Sequence, residues 1–363
     1  MPDRTRFAAE VLAGTTPGLA RMMAERLVPQ LGDASRYGHD PETLWRDHLA
    51  GRLDDLSLAL AEDRPEHFAD QVGWARITFQ ARGLPEDDLR RSLDCLVAVL
   101  ADELPESARG PSVACVERAL SGWNTLGAPE PTSLDGHSEV GRLATRYVVA
   151  LLEGDRRKAC ELVLDAVRSG RLDVRRAVID VCLPAERELG RMWHLDEITV
   201  AEEHFVSATT ERLLAQLLTL SPAAEPHGRC VVAASLEGDD HDIGLRAVTD
   251  LLELDGWRVV FLGRNLPVQD LTWSAEAFGA DLVLLSATLA THTLVLRRAI
   301  GRLGERAQRS GRPAPPVLVG GPAFAATGER WKELGAAGLA RNADEALALA
   351  RRLVGLPPGD AAG

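Results

Sequence analysis

"RCVVAASLEGDDHDIGLRAV", residues 229–248, decides how the C-terminal third of the chain folds. Its first seven residues form an apolar, small-residue run of the kind that suits a strand buried on both faces. A helical period begins at Ile243, and the join between the two carries Asp239-x-His241-x-x-Gly244. Three further runs, "WRVVFLG" (257–263), "DLVLLSA" (281–287) and "PVLVGG" (316–321), alternate with helical stretches at 243–254, 267–278 and 293–308. Strands alternating with helices predict a doubly wound parallel sheet, flavodoxin- or Rossmann-like, over residues 228–355. Such a sheet takes its ligand beyond the carboxyl ends of its strands. Asp239 and His241 follow the first strand, Ser286 and Thr288 end the third, and Gly320 and Gly321 end the fourth.

Working backwards, "SPAAEPHG" (221–228) and "LGAPEPTSLDGH" (126–137) read as turn-rich linkers. Between them, residues 138–220 hold four helical stretches with short joins, which predicts an antiparallel four-helix bundle. Gly154 and Gly170 sit where helices stop, and Thr199-x-x-Glu202 reads as a capping box opening the fourth helix. The join before that helix, "MWHLDEITVAEEHF" (192–205), packs Trp193, His194, Val200, Glu203 and His204 into a few residues. Residues 1–125 show helical periodicity throughout, which predicts a separate all-helical domain. The whole chain is thus expected to be a multi-domain α and α/β protein.

Composition narrows the function. The 363 residues carry a net charge of -13, and 45% are hydrophobic. An acidic chain lacks the basic surface that duplex binding rests on, so direct nucleic-acid binding is not expected. No run reaches the length of a membrane span, and the N-terminus lacks a signal-peptide core. Five scattered cysteines without a CxxC pair read as reduced thiols, which places the chain in the cytoplasm.

The three blocks at the strand ends, D-x-H-x-x-G, then S-x-T, then GG, resemble the cobalamin-binding domain family over about 130 residues. The resemblance implies that His241 is the lower axial ligand of cobalt. It also implies that Ser286, Thr288, Gly320 and Gly321 line the slot for the cofactor's nucleotide tail. Neutral imidazole suits cobalt. Asp239, two residues earlier, can accept the other ring N–H and fix the tautomer. Gly244 and the glycine pair let the backbone approach a large ligand closely.

The bundle before this domain resembles the cap of cobalamin-dependent light sensors, whose pattern is W-x9-E-H. Here Trp193, nine residues, then Glu203-His204 match it in full, with Val200 between. The resemblance implies adenosylcobalamin as cofactor. Trp193, Val200, Glu203 and His204 would then line the adenosyl pocket. His194 would be the upper cobalt ligand once light has cleaved the Co–C bond. It further implies a sensor, not an enzyme, that signals through a homo-oligomer or an unidentified protein partner. The N-terminal region carries no helix-turn-helix, and is similar instead to the globin-like, biliverdin-holding domain of photocobilins. Arg36, Arg76 or Arg82 would meet propionates there and His39, His48 or His67 the pyrrole nitrogens or carbonyls, while Cys95, which could attach a bilin, reads from its apolar helical flanks as a core residue. Two rivals stand beside this reading: a corrinoid protein carrying a methyl group for a methyltransferase, and a haem or bilin binder in which the α/β part is only scaffold.

Overall fold

The computed structural model describes residues 2–127, 131–325 and 330–358. They form two compact units, one of Met1–Pro131 with His194–Glu197, the other of Thr132–Trp193 with Ile198–Gly363.

The first unit contains helices α1 (Pro2–Leu27), α2 (Pro41–Ala61), α3 (Pro65–Ala81), α4 (Glu86–Glu103) and α5 (Glu106–Ser121). No strand occurs among its described residues. Asp40 caps α2 by accepting from Thr43 N, and Pro41 and Pro65 occupy first turns, where a missing N–H costs nothing. Leu12, Met23, Leu49, Leu53, Phe68 and Leu93 fill the core.

The second unit opens with the expected cap: α6 (Glu139–Leu152), α7 (Arg156–Arg168), α8 (Val174–Arg176), α9 (Leu183–His194) and α10 (Val200–Leu218). A π-helical segment, Ala177–Cys182, joins α8 to α9, so they run on as the bundle's third helix. Gly154 and Gly170 adopt positive φ after α6 and α7, as helix stops require. Thr199 accepts from Glu202 N while the Glu202 side chain accepts from Thr199 N, completing the capping box that starts α10.

The α/β part follows as β1 (Cys230–Ser235), α11 (Ile243–Leu254), β2 (Arg258–Phe261), α12 (Val268–Ala277), β3 (Leu282–Ser286), α13 (His292–Ser310), β4 (Val317–Gly320), β5 (Gly338–Ala340) and α14 (Ala343–Leu353). All strands pair in parallel in the order β2-β1-β3-β4-β5. Alternate residues serve opposite faces. Val231, Ala233, Leu282 and Leu284 join the core that includes α11 and the cap, while Val232, Ala234, Val283 and Leu285 meet α12 and α13. The cap therefore shares a continuous apolar core with one sheet face, and Arg175 Nε donates to Asp344 Oδ1 at 3.0 Å. The chain order reverses between β1 and β3, and the crevice at their carboxyl ends is the switch point.

Because the capping box fixes where α10 begins, Thr199→Ala is expected to destabilise the chain by about 1 kcal/mol. Urea unfolding checks this, and an unchanged midpoint would show that the box contributes nothing.

Candidate functional site

The site is organised by one buried carboxylate. Asp239 lies in the β1–α11 loop and is 1% exposed. Its Oδ1 accepts from His241 N at 3.1 Å and lies 3.1 Å from His241 Nδ1. Its Oδ2 accepts from Thr288 N at 2.8 Å and lies 3.0 Å from His292 Nδ1. Burial alone would raise Asp239. The hydrogen bonds from the two imidazoles and from the Thr288 N–H outweigh it and hold the carboxyl well below its ordinary range. His292 Nδ1 also lies 3.2 Å from Leu289 N, which can only donate. One nitrogen cannot serve both neighbours, and the shorter, charge-assisted contact to the carboxylate decides that Nδ1 carries the proton.

With Nδ1 turned to Asp239, His241 presents Nε2 outward from a side chain that is 69% exposed. The hydrogen bond to Asp239 and the charges of Asp239, Glu203 and Asp240 raise its pKa against the opposing effect of burial. His241 is thus an oriented, electron-rich imidazole whose second ring nitrogen is available to a ligand.

At the neighbouring strand ends, Ser235 pairs with Ser286, and Ser286 with Gly320, in one row across the sheet. Gly321 has φ 105°, and a Cβ there would sit 2.3 Å from Ala287 O and 2.9 Å from Ser286 Oγ. Glycine is obligatory at that position. Above Gly244 nothing lies within 4 Å of where a Cβ would be. An open approach at Gly244 and an outward-facing imidazole nitrogen beside it fit a large flat ligand that is held from His241.

On the cap side, Glu203 Oε1 accepts from Ser207 Oγ at 2.9 Å, and His204 Nε2 lies 3.6 Å from Glu203 Oε2. Val200 is 53% exposed and Trp193 half-buried against the cap core. Two turns before Trp193 on the same face of α9, burial pushes the Glu186 carboxyl up to about 7.

His194 is placed elsewhere. It belongs to the helical unit, where its ring stacks on Trp74 at 3.8 Å and 19°, and its Nδ1 lies 3.0 Å from Thr78 Oγ1. Burial lowers its pKa, with the Arg82 charge adding. Its Nε2 is buried without a hydrogen-bond partner.

The residues expected to hold a bilin are scattered. Arg76 is taken up by Glu86 Oε2 (2.6 Å) and by the carbonyls of Trp123 and Leu126. Arg36 turns to Asp33 O, and Arg82 lies 3.6 Å from Asp196. His39 is exposed, His67 Nδ1 lies 3.6 Å from Glu62, and the Cys95 thiol faces Met23 O at 3.7 Å. His48 is half-buried, with its Nε2 shielded and without a hydrogen-bond partner.

Sequence reasoning missed His292 and Ser235. The one available signal was that "SATLATH" brings a histidine to the start of a helix just after the third strand.

Two family models match the chain, both described as "B12 binding domain", one over residues 229–349 and one over 143–218. A corrinoid protein of Desulfitobacterium hafniense is 28% identical over 214 residues, 57% of this chain and 94% of that protein. Dimethylamine corrinoid protein 3 of Methanosarcina acetivorans is 35% identical over 136 residues, 37% of this chain and 61% of that one. The HTH-type transcriptional repressor CarH of Myxococcus xanthus is 32% identical over 162 residues, 44% of this chain and 52% of the repressor. The chain therefore spans only about half to three-fifths of these last two relatives. The monomethylamine corrinoid protein of Methanosarcina barkeri has the same fold, with TM-score 0.51 at 22% identity over 58% of this chain and 98% of its own.

The two histidines on Asp239 give the cofactor-free protein a signed pH response. Asp239, depressed in the fold, contributes stability that is complete above its ordinary pKa near 3.9 and lost as pH falls through the lower folded value. His241, raised in the fold, contributes stability present below about pH 6.5 and lost as pH rises through its folded value. His241→Ala is therefore expected to flatten the decline above pH 6.5 while keeping the acid limb. Urea midpoints across pH measure both, and a decline that survives the substitution would assign it to another group.

Proposed function

We propose that this chain, which carries a cobalamin-binding α/β domain with its helical cap, is a light sensor loaded with adenosylcobalamin. The observation that carries the reading is the cap. Trp193 stands at the end of α9, and Glu203 and His204 lie in the first turn of α10, a few residues further along the chain. An aromatic residue with a carboxylate and an imidazole suits a bulky, polar nucleoside better than a bare methyl group. The cofactor, when bound, supplies a photolabile cobalt–carbon bond.

The chain's own residues do the rest. Asp239 holds His241 in the tautomer that leaves Nε2 free for cobalt, and His292 with the Thr288 N–H keeps Asp239 ionised. Trp193 and Val200 cover the adenosyl group, while Glu203 accepts from its hydroxyls or amine. His194 would be the imidazole that holds the cobalt after illumination. To reach cobalt it must leave the Trp74 face and the Thr78 hydroxyl, trading one packed position for another. The signal is thus a shift between two placements of one imidazole, passed on as a conformational or oligomeric change. A homo-oligomer and a protein partner are the proposed recipients, without direct contact to nucleic acid. Among the described residues no helix is long and apolar enough to cross a membrane. Biliverdin as a second chromophore rests on the resemblance of residues 1–125 alone, and the relatives named above add no support for it.

The second reading, a methyl-carrying corrinoid protein, is favoured by the names of the Desulfitobacterium and Methanosarcina relatives. It uses His241 in the same way and gives no task to Glu203 and His204.

Under the sensor reading, adenosylcobalamin binds in the dark and green light bleaches the alkyl-cobalt spectrum for good. A photostable complex, or a preference for methylcobalamin, sinks it in favour of the carrier. His241→Ala is expected to remove the spectral signature of lower-imidazole coordination, and an unchanged spectrum would reassign the ligand. His194→Ala is expected to bind normally in the dark and to lose the two-imidazole light product. Trp74→Ala, which frees His194, is expected to speed formation of that product, and an equal rate would show that the stack does not restrain it.

A further inference from the structure

The interior of the helical unit contains polar atoms that its own fold leaves unserved. Trp45, His48 and Arg52 occupy positions i, i+3 and i+7 of α2 and so share one face. Trp45 is 1% and Arg52 8% exposed. Trp45 Nε1, His48 Nε2, Arg52 Nε and Arg52 Nη1 are all buried without a hydrogen-bond partner. Arg52 Nη2 meets Asp55 at 3.0 Å, which leaves two of its three nitrogens unserved. Trp45 Nε1 and both Arg52 atoms can only donate.

Native interiors rarely leave even one buried donor without an acceptor, and three beside an unpartnered imidazole nitrogen call for an occupant. His48 is neutral, its pKa lowered to about 3 by burial and by the Arg52 charge, so it adds no second cation. Rings flank the donors. Trp45 lies 5.1 Å from Tyr37, 5.3 Å from His48 and 6.1 Å from Phe79, in edge-on or tilted contact. Seven residues of helix separate Trp45 from Arg52, roughly 10 Å of rise.

We infer that this face of α2 is a ligand site for an elongated aromatic acid, with a carboxylate at Arg52, a flat body against Phe79 and Tyr37, and an acceptor at Trp45 and His48. Each element answers a separate observation. Donor-only atoms require acceptors, a half-compensated guanidinium selects an anion, the rings select a planar apolar body, and the spacing sets its length. Arg52 and His48 are binding residues here, and neither belongs to the cobalamin site.

The test is calorimetric titration of the full chain with biphenyl dicarboxylate, which spans the donors, and with benzoate, which reaches only one end. Biphenyl dicarboxylate is expected to bind at least about tenfold more tightly than benzoate, and Arg52→Gln to weaken it by about tenfold or more, the scale of one charge-assisted hydrogen bond. His48→Leu should weaken it less, because it removes a neutral partner. His241→Ala should leave it unchanged, so the result stands whether or not the cobalamin reading holds. Absence of binding by both acids, or equal affinity in Arg52→Gln, overturns the site and assigns the unserved donors to buried water.

Discussion

One carboxylate sets the geometry of the α/β domain's ligand end. Asp239 is buried where β1 and β3 diverge, and its two oxygens are filled from two βα units at once. From one side come the backbone and ring of His241, and from the other the Thr288 N–H and the His292 ring. A buried charge is tolerable only when it is this fully hydrogen-bonded. Orienting His241 and anchoring the β3–α13 loop to the β1–α11 loop are therefore one act. The imidazole is aimed correctly because the two loops are tied, and the loops are tied because the charge has no other way to be satisfied.

The cap shows a different economy. Its helices share an apolar core with the sheet face that includes α11, so they need no polar contacts to stay on that face. Polar side chains are freed for the first turn of α10, where Glu203 accepts from Ser207. His194 is the exception. It directly follows Trp193, yet its ring is stacked and hydrogen-bonded within the helical unit. Two adjacent residues thus fall in two different compact units.

The parallel sheet was legible because its strands are continuous apolar runs set off by glycine and proline, and the Asp239–His241 pair because its chemistry lies within three residues. The cap was legible through the Thr199 capping box and the helix-stopping glycines. β5 was not, since Gly338–Ala340 is three residues long and carries no alternation. His292 escaped because it reaches Asp239 through the fold and not through spacing. Arg52 escaped for the opposite reason: an arginine on an acidic helix reads as a solvated face, and only tertiary packing reveals it as buried. The place of His194 beside Trp74 has no sequence signature at all.

The π-helical segment at Ala177–Cys182 has an evolutionary implication. A wide turn of this kind holds one residue more than an α-turn would, and it lies upstream of the helix that ends at Trp193. Losing that residue would leave the helix regular but rotate everything beyond it by roughly 100°. Trp193 would turn to a different face while the bundle still packed. Length in this segment is therefore a register key, and an insertion or deletion there resets which way every later residue of that helix points.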